Sequence, residues 1–147
     1  MRMNRHASGC GSRLRSVANT PLADRWLSLL RVCALMNQRI EHTLSDEFDL
    51  CVSAYEIMEV LWAEQEWIRP GEVASRTSRS QPQVSRLVAQ MVEAGYVDRK
   101  PSPGDGRGSQ IRLTAEGREV FRRAAATVDG QLAQIADERP DARVWLT

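Results

Sequence analysis

The sequence predicts a mainly α protein with a small β-hairpin wing: a winged helix-turn-helix lobe between long N- and C-terminal helices. Three observations carry that prediction. Apolar residues recur at helical spacing over more than twenty residues near each end of the chain, two shorter helical patterns meet at the tight connection Ser78-Arg79-Ser80, and two alternating segments bracket the Gly/Pro-rich stretch PSPGDGRG at 101–108. A length of 147 residues, 42% apolar and 27% charged, suits one folded domain or one protomer of an oligomer.

Residues 1–19 hold four Arg, no acid and no apolar period, and read as a disordered basic arm; a transit peptide or an early start codon are the alternatives. The single domain then spans 20–147. Thr20 followed by Pro21 is a helix start, because proline at the first helical position loses no hydrogen bond. Trp26, Leu29, Leu30, Cys33, Met36, Ile40 and Leu44 make one apolar stripe on a helix over about 21–46. Ser53 and Glu56 have the spacing of a capping box and open a second helix, about 54–65. Pro70 starts a short third helix. Ser80 and Gln83 form another capping box opening a fourth, with Val84, Leu87, Val88, Met91 and Val92 apolar, and Gly95 supplies the left-handed residue that ends it. A hairpin follows, with strands from Tyr96 to Lys100 and around Ile111 and Leu113. Thr114 caps a last long helix, about 115–138, which Pro140 ends.

Charge is segregated although the formal net charge is only +1: residues 1–19 carry +4, 20–74 carry −6, 75–113 carry +4 and 114–147 carry −1. A basic internal block is what a protein needs to offer one face to a polyanion. No stretch approaches the roughly 20 uninterrupted apolar residues of a membrane-spanning helix, and a cytoplasmic protein with no membrane partner is expected. Cys10, Cys33 and Cys51 match neither a disulfide framework nor a zinc clip. The only histidines are His6 and His42, and the catalytic motifs G-x-S-x-G, H-E-x-x-H and the P-loop do not occur, so no enzyme, cofactor or metal is expected.

The fourth helix bears the most specific chemistry. Opposite its apolar stripe lie Gln81, Gln83, Ser85, Arg86 and Gln90, with almost no acid among them. Glutamine can pair bidentately with adenine and arginine with guanine in the major groove. Arg76, Arg79 and Ser80, around its start, are placed for the DNA backbone. Such a face is also compatible with plain solvation, but the wing that follows, with Arg99, Lys100 and Arg107, adds a second protrusion able to enter a minor groove.

These residues resemble the MarR family of winged-helix transcriptional regulators. The resemblance rests on Asp105, Gly106 and Arg107 followed by Leu113 and Thr114. It is supported by Glu72-Val73-Ala74, by Ser80, Pro82, Val84, Ser85, Arg86 and Leu87, and by Gly95-Tyr96-Val97 before Arg99. It implies a symmetric dimer in which helices over 20–48 and 114–147 interlock around a DNA-binding lobe at 53–113. It also implies that Arg107 reaches the minor groove and that Asp105 holds the wing. The family's substantial final helix has little sequence left to form it after Pro140.

The resemblance further implies a homodimeric repressor released from a pseudo-palindromic operator by a small, often phenolic, effector. Trp26, Met36, Tyr55, Met58 and Trp62 are the candidates for an effector pocket, although the same residues suit core packing. A thiol-based redox sensor using Cys10, Cys33 or Cys51 is an alternative, as is a winged-helix protein-interaction module without DNA binding. Against Cys51 as sensor stands the acidic run Asp46, Glu47 and Asp49, which would raise a thiol pKa.

Overall fold

The computed structural model describes residues 21–104 and 106–147. The basic arm with Cys10, the cap at Thr20, and Asp105 lie outside the described residues. The chain divides into two compact units, residues 1–35 and 36–147. Its elements are α1 (Pro21–Phe48), α2 (Val52–Glu64), α3 (Pro70–Arg76), α4 (Gln81–Glu93), β1 (Val97–Pro101), β2 (Ser109–Leu113), α5 (Ala115–Glu138) and α6 (Pro140–Leu146).

In the first unit α1 begins at Pro21 and exposes Leu22, Trp26, Leu27 and Leu30, while Val32 is buried. In the second unit Ile40 and Leu44, on the continuation of α1, join the core. Around them pack Ile57, Met58 and Leu61 of α2, Val73 of α3, Val84 and Val88 of α4, Ile111 and Leu113 of β2, and Phe121 and Ala124 of α5. Each helix thus contributes one apolar face at the expected spacing.

The start of α2 differs from the sequence reading. Its N-cap is Cys51, not Ser53: Cys51 has extended backbone angles and its Sγ accepts the Ala54 N–H at 3.3 Å. The Val52 N–H is satisfied from outside, by Glu41 Oε2 of α1 at 2.8 Å. Glu56, expected to close the box with Ser53, is drawn instead to the connection between α3 and α4. A long-range pairing has displaced a local one.

The capping box at α4 forms as expected. Ser80 Oγ accepts the Gln83 N–H and Gln83 Oε1 accepts the Ser80 N–H at 3.1 Å. At its other end Gly95 sits at φ 84, with the Gly95 N–H bonded to the Val92 carbonyl and the Tyr96 N–H to the Met91 carbonyl. That pattern satisfies two carbonyls of the last turn. The hairpin is antiparallel, with Val97 opposite Leu113 and Pro101 opposite Ser109. Ile68, before α3, adds a bridge to Ile111 by two backbone bonds and ties the wing's base to the helical lobe.

Thr114 caps α5 by accepting the Gly117 N–H at 2.9 Å. Pro140 ends α5 but also opens the seven-residue α6, where proline occupies the first turn. Arg143 reaches back from α6 and donates to the Ala136 carbonyl at 2.9 Å, and Ala142 is buried. Among the described residues no helix is long and apolar enough to cross a membrane.

Candidate nucleic-acid interface

All five side chains predicted on the outer face of α4 are exposed: Gln81, Gln83, Ser85, Arg86 and Gln90. Val84, Leu87, Val88 and Met91 face inward and anchor the helix. Proline at the second helical position and the box at Ser80 fix where the helix begins, so the backbone donors of its first turn stand at a defined point.

The wing joins this face at one end. A cleft of about 400 Å³ is lined by Arg69 to Glu72 at the start of α3, by Gln81 and Ser85 of α4, and by Arg107, Gly108 and Ser109 of the wing. Gln81 and Ser85 are one helical turn apart, so both meet the wing. Gln90, roughly 14 Å beyond Gln81 at 1.5 Å per residue, is not part of this cleft and lines a different one beside Tyr96. Arg86 makes no hydrogen bond or ion pair among the described residues.

Five predicted contacts carry additional duties. The Oε1 of Gln83 is taken by the Ser80 N–H and lies 3.2 Å from the Ser80 hydroxyl. Bidentate adenine recognition needs that oxygen, so Gln83 is first a cap, and the Ser80 hydroxyl is committed with it. Arg76 pairs with Glu64 at 2.6 Å. Arg79 pairs through Nε with Glu56 at 2.8 Å. Lys100 holds its ammonium over the Trp67 ring, 4.3 Å from the centroid, with the Arg112 guanidinium 4.5 Å from the same ring. Lys100 is therefore half-buried at the wing's base, whereas Arg99 is exposed.

Two participants escaped the sequence reading. The sequence offers Glu56 a local cap, whereas its partners lie 22 and 23 residues away. Burial works to raise its pKa, yet the Ser78 N–H, the Arg79 guanidinium and the Ser78 hydroxyl together hold the carboxyl below its ordinary value. Trp67 has no periodic signal, since it stands between α2 and α3 and acquires its cations from both strands of the hairpin.

Three of the five effector-pocket candidates sit in or against the core of the second unit. Met58 is fully buried in the core, and Tyr55 and Trp62 each pack against Phe121, with ring centroids 5.2 and 5.4 Å apart. Burial, with Asp129 and Glu59 nearby, pushes the Tyr55 phenol above its usual pKa. Trp26 is exposed and belongs to the first unit, and Met36 is half-buried. A cavity of about 390 Å³ does lie in the second unit, lined by Glu41 of α1, Ala54 of α2 and Met91 of α4 together with Leu50 and Cys51 before α2 and Tyr96 after α4. None of the five candidates lines it. Cys33 and Cys51 are free thiols, the latter engaged as the α2 cap.

Comparison with known proteins agrees with this architecture. Residues 49–108, from the approach to α2 to the wing loop before β2, match the family model described as MarR family. The chain is 25% identical over 111 residues to the HTH-type transcriptional regulator PapX of Escherichia coli, covering 73% of this chain and 68% of that one. It superposes on the crystal structure of AbsC, a MarR family transcriptional regulator from Streptomyces coelicolor, with a TM-score of 0.70 and 26% identity, over 79% of this chain and 78% of that one. The fold also matches a cysteine-to-serine variant of MarR from Escherichia coli complexed with operator DNA, with a TM-score of 0.68 and 19% identity over 87% of each chain. These relatives are regulators of transcription rather than enzymes. With the winged helix-turn-helix in place, the polar outer face of α4 and the match over residues 49–108, the chain is similar to the MarR family of winged-helix transcriptional regulators.

Proposed function

We propose that this regulator is a cytoplasmic homodimeric repressor that binds a pseudo-palindromic DNA operator. The observation that carries the reading is the convergence of Gln81 and Ser85 of α4 with Arg107 of the wing on one cleft, beside the unpaired Arg86. A helix presenting amides, hydroxyl and guanidinium suits the major groove, and a wing-tip arginine suits the more electronegative minor groove. Self-association is supported by apolar side chains left exposed near both ends of the described chain: Leu22, Trp26 and Leu30 on α1, and Val144 and Trp145 on α6. Monomeric proteins rarely leave so much apolar surface in contact with water. A two-fold dimer would place two α4 helices in successive major grooves, with half-sites about one helical turn apart.

Release by a small effector belongs to the same reading, with its site in the 390 Å³ cavity between α1, α2 and α4. That cavity touches both the helix bearing the exposed apolar face and the one facing DNA. The test is a titration of the full chain on DNA selected from a random pool, with native mass measured free and bound. Two chains per duplex, steep weakening with salt and lost base preference in Arg86→Ala are expected. A chain that stays monomeric on DNA, or binds all sequences alike, refutes the reading.

A further inference from the structure

The connection between α3 and α4 is held by an acid from α2, which is unexpected beside a surface that meets a polyanion. Glu56 projects from α2 and accepts the Ser78 N–H at 2.7 Å, the Ser78 hydroxyl at 3.0 Å and the Arg79 Nε–H at 2.8 Å. The Glu56 and Arg79 side chains are each only 28% exposed, so this is a partly desolvated pair and not a loose surface contact. The bond uses Nε alone. Among the described residues the two terminal amino groups of Arg79 make no hydrogen bond. They stand one residue before Ser80, the cap of α4.

We infer that Glu56 is a positioning residue for DNA binding: it grips Arg79 by Nε and so presents the two terminal amino groups as a fixed phosphate clamp at the mouth of α4. Arginine alone suits this task, because its planar fork offers one donor to the buttress and others to a phosphate at the same time. A lysine has a single ammonium, which the same carboxylate would occupy. An unbuttressed Arg79 would have to order several side-chain torsions on binding, and Glu56 removes that cost beforehand. The two bonds to Ser78 fix the connection itself, so the clamp keeps its register with the helix. The inference rests on the DNA-binding reading proposed above.

Electrostatics and positioning predict opposite outcomes, which makes the point testable. If Glu56 merely adds negative charge near DNA, Glu56→Gln should bind tighter. As a buttress it should bind about tenfold weaker on preferred and random duplexes alike, because a phosphate contact carries no base preference. The slope of log affinity against log salt should fall by about one, as it should for Arg79→Ala. The double variant should be no weaker than Arg79→Ala alone. Arg79→Lys, which keeps the charge and a partner for Glu56, should lose as much slope as Arg79→Ala. Affinities are measured by titration of the full chain, with thermal unfolding recorded for each protein. Tighter or unchanged binding by folded Glu56→Gln, or wild-type binding by Arg79→Lys, overturns the buttress and leaves the DNA-binding reading intact. Absence of DNA binding by the wild-type chain overturns both.

Discussion

The carbonyl oxygen of Tyr96 occupies the space that a β-carbon on Gly117 would fill. The close approach follows from how α5 starts. The Thr114 N–H donates to that same Tyr96 carbonyl at 3.0 Å, the Thr114 hydroxyl donates to the Gly95 carbonyl at 2.7 Å, and Thr114 then accepts the Gly117 N–H. One threonine therefore joins the end of α4 to the beginning of α5, with the backbones almost touching at Gly117. Alanine is the better helix former by about 1 kcal/mol, yet the neighbouring atoms are main chain and cannot swing aside. Gly117→Ala should destabilise the protein by about 2 kcal/mol net, the overpacking cost exceeding the propensity gain. Urea unfolding checks this, and a variant as stable as wild type would show that the α4–α5 junction can open without penalty.

That junction also marks what the sequence makes legible. Signals confined to a few consecutive residues were readable: the box of Ser80 and Gln83, the left-handed Gly95, the cap at Thr114, and the alternation of Ile111 and Leu113 with Gln110 and Arg112. They depend on chemistry within one turn. The role of Gly117 was not readable, because its partner Tyr96 is 21 positions earlier and meets it only once the hairpin has closed. Glu56 was misassigned for a similar reason, since a partner three residues away was in sight and the better partners Ser78 and Arg79 were not. Cys51 was missed as a cap because a thiol is a weak acceptor; the α2 start relies on Glu41 as well. For Tyr55, Met58 and Trp62, periodicity identifies an inward face without saying whether core or cavity lies behind it.

The dual commitment of Gln83 separates cap from reader. Gln83→Ala removes the acceptor for the Ser80 N–H, and the change should cost about 0.5–1 kcal/mol of stability. Arg86→Ala removes a side chain with no partner in the described structure and should leave stability within about 0.5 kcal/mol of wild type. On DNA the order reverses: Arg86→Ala should lose about 1–3 kcal/mol at the preferred duplex and relax its base preference. Thermal unfolding paired with titrations on specific and random duplexes tests both. A large stability loss in Arg86→Ala, or none in Gln83→Ala, contradicts the assignment.

Glu56 also ties folding to pH. Its carboxyl titrates below its ordinary value of 4.5 in the folded protein. A group with a depressed folded pKa stabilises fully above its unfolded pKa, and that contribution disappears as pH falls through the folded value. Wild type should therefore exceed Glu56→Gln in stability at neutral pH, and the gap should narrow as pH falls below about 4.5, when the carboxyl takes up its proton in both states. Denaturant midpoints for the two proteins between pH 7 and pH 3 provide the measurement. A gap that stays constant across the range would show that Ser78 and Arg79 do not depend on the charge of Glu56.

The wing combines a constraint with a contact. Gly104 has φ 74, in the region glycine favours, whereas a β-carbon at Gly106 would meet nothing within 4 Å. Gly106→Ala should consequently be tolerated, while Gly104→Ala should loosen the loop that carries Arg107. Arg107 lies on the cleft shared with Gln81 and Ser85, so its loss should be felt beside the half-site and not across the whole duplex. Arg107→Ala should lose about 1–3 kcal/mol on duplexes with narrow A·T-rich flanks and distinctly less on G·C-rich flanks, because the minor-groove potential is most negative where the groove is narrowest. Asp105→Ala should weaken binding as well, although it removes a negative charge, if the carboxylate organises the loop as the family resemblance implies. Titration of wild type and each variant on two duplexes differing only in their flanks decides the matter. Equal losses on both duplexes would make Arg107 a phosphate contact, and tighter binding by Asp105→Ala would reduce Asp105 to a turn former.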